Sequence, residues 1–192
     1  MAKNVRGYFY SCEPELTPVS IKRKLSKSIV GQNEAKIILS VAAYSHLETL
    51  RYKKEKGFRN DYVEQEKSNV IIYGPTGVGK TALLKKLAAI LEVPLAIVDA
   101  SSLTAAGYKG KNTLTIIKDL YLQAEGDLEK AANGIIFLDE FDKLAAGTYG
   151  RDESVNAFCT EVQEELLKVF EGVEVTFEGS DEEKHTLDSS NI

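Results

Sequence analysis

The residues Gly74-Pro75-Thr76-Gly77-Val78-Gly79-Lys80-Thr81 lie between an apolar, β-branched run, Asn69-Val70-Ile71-Ile72-Tyr73, and a run of strong helix formers from Thr81 to Leu91. A strand, a glycine loop and a helix in that order bring backbone N–H groups together around an anion. The glycines permit the tight turn, and the helix that follows adds the positive end of its dipole. The spacing matches a phosphate-binding loop in full. Gly74, Pro75, Thr76, Gly77, Val78, Gly79, Lys80 and Thr81 are therefore the candidate nucleotide-binding residues. Lys80 is placed to reach the outer phosphates and act in catalysis, and the Thr81 hydroxyl to ligate Mg2+.

The chain around this loop reads as alternating strands and helices. From Gln32, apolar residues recur at helical spacing through Ala35, Ile38, Leu39, Ala42 and Ala43 toward Leu50. A turn signal at Thr17-Pro18 precedes them, and a charged, aperiodic connection from Arg51 to Lys67 follows. Beyond the loop helix come a strand at Leu95 to Val98, a helix at Asn112 to Ala124 and a strand at Gly134 to Leu138. With Asn69 to Tyr73 as a further buried strand, this predicts a P-loop α/β fold in three layers, a parallel sheet flanked by helices. Gly147 to Ser154 reads as a loop. A helix carries Val162, Leu166, Leu167 and Phe170 on one face, and Val173 to Phe177 alternates like a strand entering a hairpin turn at Glu178 to Lys184.

The strand Ile135-Ile136-Phe137-Leu138 ends in Asp139-Glu140, which places two acids at the carboxyl edge where open α/β sheets bind ligands. Such a pair also serves elsewhere as a helix N-cap. Downstream of a complete phosphate loop it reads as catalytic: Asp139 holds Mg2+ through its hydration shell, and Glu140 orients and deprotonates the attacking water. The two elements together imply nucleotide hydrolysis rather than passive binding.

Composition removes other classes. A formal net charge of -5 does not suit a surface built to neutralise nucleic-acid phosphates. Cys12 and Cys159 are too few and too far apart for a disulfide framework or a four-ligand zinc site, and they read as plain thiols. No run reaches the length of a membrane span, and Met1 to Gly7 has no apolar stretch of signal-peptide length, so the expected location is cytoplasmic.

From Leu16 to Ile192 these residues resemble the AAA+ ATPases, and within them the ClpX-type protein unfoldases, with the HslU type a second choice. Ile29-Val30-Gly31-Gln32-Asn33-Glu34-Ala35-Lys36 is similar to the family segment that contacts the adenine ring, which implies base-binding roles for Ile29 and Val30; the same stretch is also a helix start with two residues available for core packing. Val93-Pro94 and Asp99 to Gly110 resemble the stretch leading into a pore loop, with Tyr108 matching the aromatic that grips a polypeptide in a ring hexamer. Lys109 stands where an aliphatic residue is usual. Arg151 and Asp152 match a second pore loop. Lys184-His185 falls at a basic substrate-entry loop, with Glu183 where an arginine is expected.

The resemblance implies one large ATPase subdomain over residues 16–192 after an N-terminal tail of residues 1–15. It further implies a homohexamer, polypeptide substrates and a possible ClpP-like peptidase partner. Only Cys12 precedes the ATPase segment, which does not match the cysteine-rich zinc domain that ClpX proteins carry there. The family's polar sensor strand, arginine finger, protease-docking loop and helical subdomain would follow Ile192. The expectation is thus a fragment whose sheet lacks a central strand between those ending at Tyr73 and Leu138. The alternative is a truncated nucleotide-binding module without independent motor activity.

Overall fold

The computed structural model describes residues 16–56, 68–103, 112–146, 153–179 and 183–192. The chain divides into two compact units, Met1–Glu92 and Val93–Ile192.

In the first unit, helix α1 (Pro18–Ser26) begins where the sequence suggested only a turn. Thr17 is its N-cap and accepts from the Ser20 N–H at 3.2 Å, while the Ser20 hydroxyl answers the Thr17 N–H at 3.0 Å. Pro18 stands at the first helical position, where its missing N–H costs nothing. Helix α2 (Asn33–Lys56) continues through the charged residues after Leu50, read from sequence as connection. Its buried positions are Lys36, Leu39, Ser40, Leu47 and Leu50. That stripe passes beside Ile38, which lies on the exposed flank instead of in the expected core. Helix α3 (Lys80–Leu91) buries Leu83, Leu84, Leu87, Ala88 and Leu91. Helix α1 packs on both α2 and α3 through its buried Ile21 and Leu25.

The run Asn69 to Tyr73 departs from expectation. It forms no strand, and Ile71 and Tyr73 are 88% and 93% exposed. A β-strand exists through its ladder, and among the described residues no strand ladders with this segment.

In the second unit, strands β1 (Leu95–Asp99) and β2 (Ile135–Asp139) pair in parallel, with Leu95 opposite Ile135 and Asp99 opposite Asp139. The crossover between them contains helices α4 (Thr113–Gln123) and α5 (Leu128–Ala131), capped by Asn112 and Asp127. A short helix α6 (Asp142–Ala146) and a long one, α7 (Glu153–Glu171), come next. Strands β3 (Glu174–Glu178) and β4 (Lys184–Asp188) close an antiparallel hairpin.

Two apolar clusters hold this unit together. One joins Val98, Ala100 and Leu103 to Ile116, Leu144, Val162 and Leu166, with Ile136, Leu138 and Phe170 against it. The other joins Ile117, Tyr121 and Ala124 to Ala131, Val169 and the hairpin residues Val175, Phe177 and Leu187. Helix α4 supplies neighbouring residues to both clusters and so ties the parallel pair to the hairpin. Each fully buried aliphatic side chain contributes about 1.5–3 kcal/mol. Of the face expected on α7, Val162 and Leu166 are buried and Phe170 packs beside them, whereas Leu167 is exposed. Among the described residues no helix is long and apolar enough to cross a membrane.

Candidate functional site

The loop from Gly74 to Gly79 takes its shape from its glycines. Gly77 and Gly79 adopt φ of +83° and +92°, the left-handed region that side chains resist. A Cβ at Gly77 would meet nothing within 4 Å. At Gly79 a Cβ would meet the Gln32 side-chain nitrogen at 3.8 Å, an ordinary contact, so at both residues the constraint comes from the backbone. Gly79 is the N-cap of α3: its carbonyl accepts the Leu83 N–H at 2.9 Å, and it has no side chain with which to cap the helix. The first amides of α3 thus keep their positive field without a side-chain acceptor from the cap. The Lys80 Nζ folds over the loop and donates to the carbonyls of Gly74 at 2.8 Å and Pro75 at 3.0 Å. Thr81 follows in the first turn of α3, half-buried. Left-handed glycines, a helix start without a side-chain cap and the Lys80 ammonium form a donor set that suits a phosphate chain.

Ile29 and Val30 precede α2 in the same unit. Val30 is 97% exposed, so the core-packing reading does not apply to it. The turn that holds them is fixed at both ends. The ammonium of Lys36, a side chain only 1% exposed, donates to the Ile29 carbonyl, and the amide of Gln32 donates to the Val78 carbonyl in the loop. The first unit thus brings Ile29, Val30 and the residues Gly74 to Thr81 into one connected arrangement.

Asp139 and Glu140 belong to the second unit, at the carboxyl ends of β1 and β2. The Asp139 Oδ1 accepts the Glu140 N–H at 3.0 Å. Glu140 stands at φ +54°, a conformation that costs a non-glycine residue energy and that recurs at functional sites. Its carboxylate pairs with Lys143 one turn on. That hydrogen bond raises the Lys143 ammonium above its ordinary 10.5, helped by the charges of Glu140, Asp99 and Asp142, so Lys143 is a cation at neutral pH. Asp99, opposite Asp139 in the ladder, caps the 3-10 turn after β1. It accepts from the Ser101 hydroxyl at 2.6 Å and the Ser101 N–H at 2.8 Å, and these bonds hold its carboxyl below the usual 3.8. The strand ends therefore form an exposed acidic edge balanced by one lysine.

Tyr108, Lys109, Arg151, Asp152 and Cys12 lie outside the described residues. Cys159 is a buried free thiol. His185, on β4, packs against Tyr121 and Phe177 with ring centroids 5.1 and 5.9 Å away, which gives it a place in the hairpin's aromatic cluster.

A model of the AAA domain (Cdc48 subfamily) matches residues 65–192, a span that contains the loop, the acidic pair and every strand described above. The chain belongs to the AAA domain family. Curated relatives of this AAA domain carry the name ATP-dependent Clp protease ATP-binding subunit ClpX. The chain is 46% identical over 156 residues to that of Borrelia duttonii (strain Ly), covering 81% of this chain and 36% of the relative. With that of Azotobacter vinelandii it shares 44% identity over 191 residues, covering 93% and 42%. With that of Porphyromonas gingivalis the figures are 42% over 155 residues, 81% and 37%. The AAA domain described here thus spans well under half the length of these relatives.

Two residues within the Ile29 to Lys36 segment carry contacts for which sequence reasoning assigned them no individual role. Gln32 looked like ordinary helix-start chemistry, because its positive φ and its reach to Val78 are tertiary facts. Lys36 carried a usable signal: it falls on the same helical stripe as Leu39 and Leu47, where an apolar residue is expected.

Proposed function

We propose that this AAA domain binds ATP at Gly74 to Thr81 and hydrolyses it with Asp139 and Glu140, driving the unfolding and translocation of polypeptides as a subunit of a ring hexamer in the cytoplasm. The observation that carries the ATP-binding part is the loop itself, with left-handed Gly77 and Gly79, the uncapped start of α3, and Lys80 poised above. Ile29 and Val30 would take the adenine ring. Mg2+, held by the Thr81 hydroxyl and through water by Asp139, would neutralise charge developing on the phosphates. Lys80 would draw the same charge, and Glu140 would orient the attacking water and take its proton.

The motor part rests on likeness. Tyr108 and Lys109 would grip the polypeptide, and the relatives' name supports a ClpP-like peptidase as partner. The residues 16–192 act in this reading as one ATPase subdomain. A net charge of -5 favours polypeptide over nucleic acid as the object of the work. One observation favours a second reading, a nucleotide-binding module without turnover: the carboxylate of Glu140 is engaged by Lys143 and would have to leave it to serve as a base.

The test is Glu140→Gln in the full-length protein. ATP affinity should stay within about threefold of wild type, while turnover falls by roughly a hundredfold or more. Undiminished turnover in the variant would remove Glu140 from the role. A wild-type protein that binds ATP and never hydrolyses it would select the second reading.

A further inference from the structure

Gln32 is unusual for its position. It is the N-cap of α2, since the Lys36 N–H donates to its carbonyl at 3.0 Å, yet it stands at φ +50°. N-caps favour extended backbone and short polar side chains, and the left-handed region favours glycine or asparagine. A glutamine satisfies neither preference, so local energetics do not explain it. What its length permits is a reach of 46 residues along the sequence: the side-chain amide donates to the Val78 carbonyl, inside the phosphate loop. The same nitrogen lies 3.8 Å from where a Cβ on Gly79 would stand, which places the amide in contact range of a second residue of the loop. The other end of the turn is anchored by the buried Lys36 on the Ile29 carbonyl. Between the two ties, Val30 is held out into solvent, an apolar surface of the kind a planar base covers.

We infer that Gln32 is a positioning residue that locks the Ile29–Gln32 turn to the phosphate loop, so that the base-binding and phosphate-binding parts of the nucleotide site form one preorganised body. The inference rests on the nucleotide-binding reading proposed above. The backbone strain at Gln32 is what the lock costs, and binding recovers it because the loop and Val30 need not be brought together each time.

Equilibrium titration of the whole chain with a fluorescent ADP in the presence of Mg2+, run beside thermal melts, separates the possibilities. Gln32→Gly relieves the strained φ and removes the amide: it should melt no lower than wild type yet bind about tenfold more weakly. Gln32→Glu, which sets a carboxylate against the Val78 carbonyl, should bind at least as poorly. Gln32→Lys, which restores a donor of similar reach, should recover binding to within about threefold of wild type. Lys80→Ala is the reference that must lose binding. If it does while Gln32→Gly and Gln32→Glu bind like wild type, the lock is disproved and nucleotide binding stands. If Gln32→Gly loses melting temperature along with affinity, its role is structural and the inference fails. If wild type does not bind the nucleotide, both readings fall together.

Discussion

Asn69–Tyr73 and Leu95–Asp99 are much alike as sequences: short, apolar, rich in β-branched or large side chains, and each followed by a turn. They end in different states. The second is β1, laddered to β2 in register along its whole length, with Ala96 and Val98 buried. The first is irregular and exposed, without a ladder partner among the described residues. Apolar β-branched composition therefore records that a segment is suited to burial in a sheet, while the strand itself is made by the neighbour that satisfies its N–H and C=O groups. The phosphate loop between these two runs shows the converse. Left-handed glycines and a helix N-cap shape it locally, and it is formed although the run before it is not a strand.

The sharpest way to break this comparison is to place the same charge in both runs. Val98→Asp buries an unpaired carboxylate in the cluster under β1 and should cost about 3–5 kcal/mol in urea unfolding. Ile71→Asp meets mostly solvent and should stay within about 0.5 kcal/mol of wild type. Equal losses would mean that Asn69–Tyr73 is packed in solution as β1 is.

A smaller effect sharpens the account of where β1 ends. Asp99 has its folded pKa lowered by the Ser101 hydroxyl and N–H. A depressed acid stabilises the folded state above its unfolded value and loses that contribution as pH falls through the folded one. Wild type should therefore be slightly more stable than Asp99→Asn at neutral pH. The gap should close on acidification below the ordinary 3.8. A gap that persists there in melting experiments would assign the effect to something other than the ionised carboxylate.

Where the fold was legible in the sequence, the deciding interactions were local or strongly patterned. The continuous apolar runs of β1 and β2, the helix expected from Asn112 to Ala124, and the alternation that buries Val175 and Phe177 in the hairpin all correspond to elements found. The misreadings have physical causes. Thr17-Pro18 uses the same residues as a turn, and only the reciprocal bond to Ser20 makes it a helix start. Arg51 to Lys56 has no apolar period, yet it extends α2, where lysines suit the negative end of the helix dipole. Asn69–Tyr73 needed knowledge of a partner strand, which no local pattern contains. Within the candidate site, the loop and Asp139-Glu140 stood out by motif. Gln32 did not, because what singles it out is a backbone angle and a contact to Val78. The Lys143 pairing of Glu140 was visible only as an acid and a lysine three residues apart, a spacing common on any helix surface.

The claim that the loop is a nucleotide site formed by its own local geometry is tested most directly by calorimetric titration of residues 1–192 with ATP and Mg2+, set beside Lys80→Ala. The account predicts saturable one-to-one binding by wild type, weakened at least about tenfold in Lys80→Ala, with the two proteins melting alike. Indistinguishable binding by the two, or no binding by a folded wild-type chain, would contradict it.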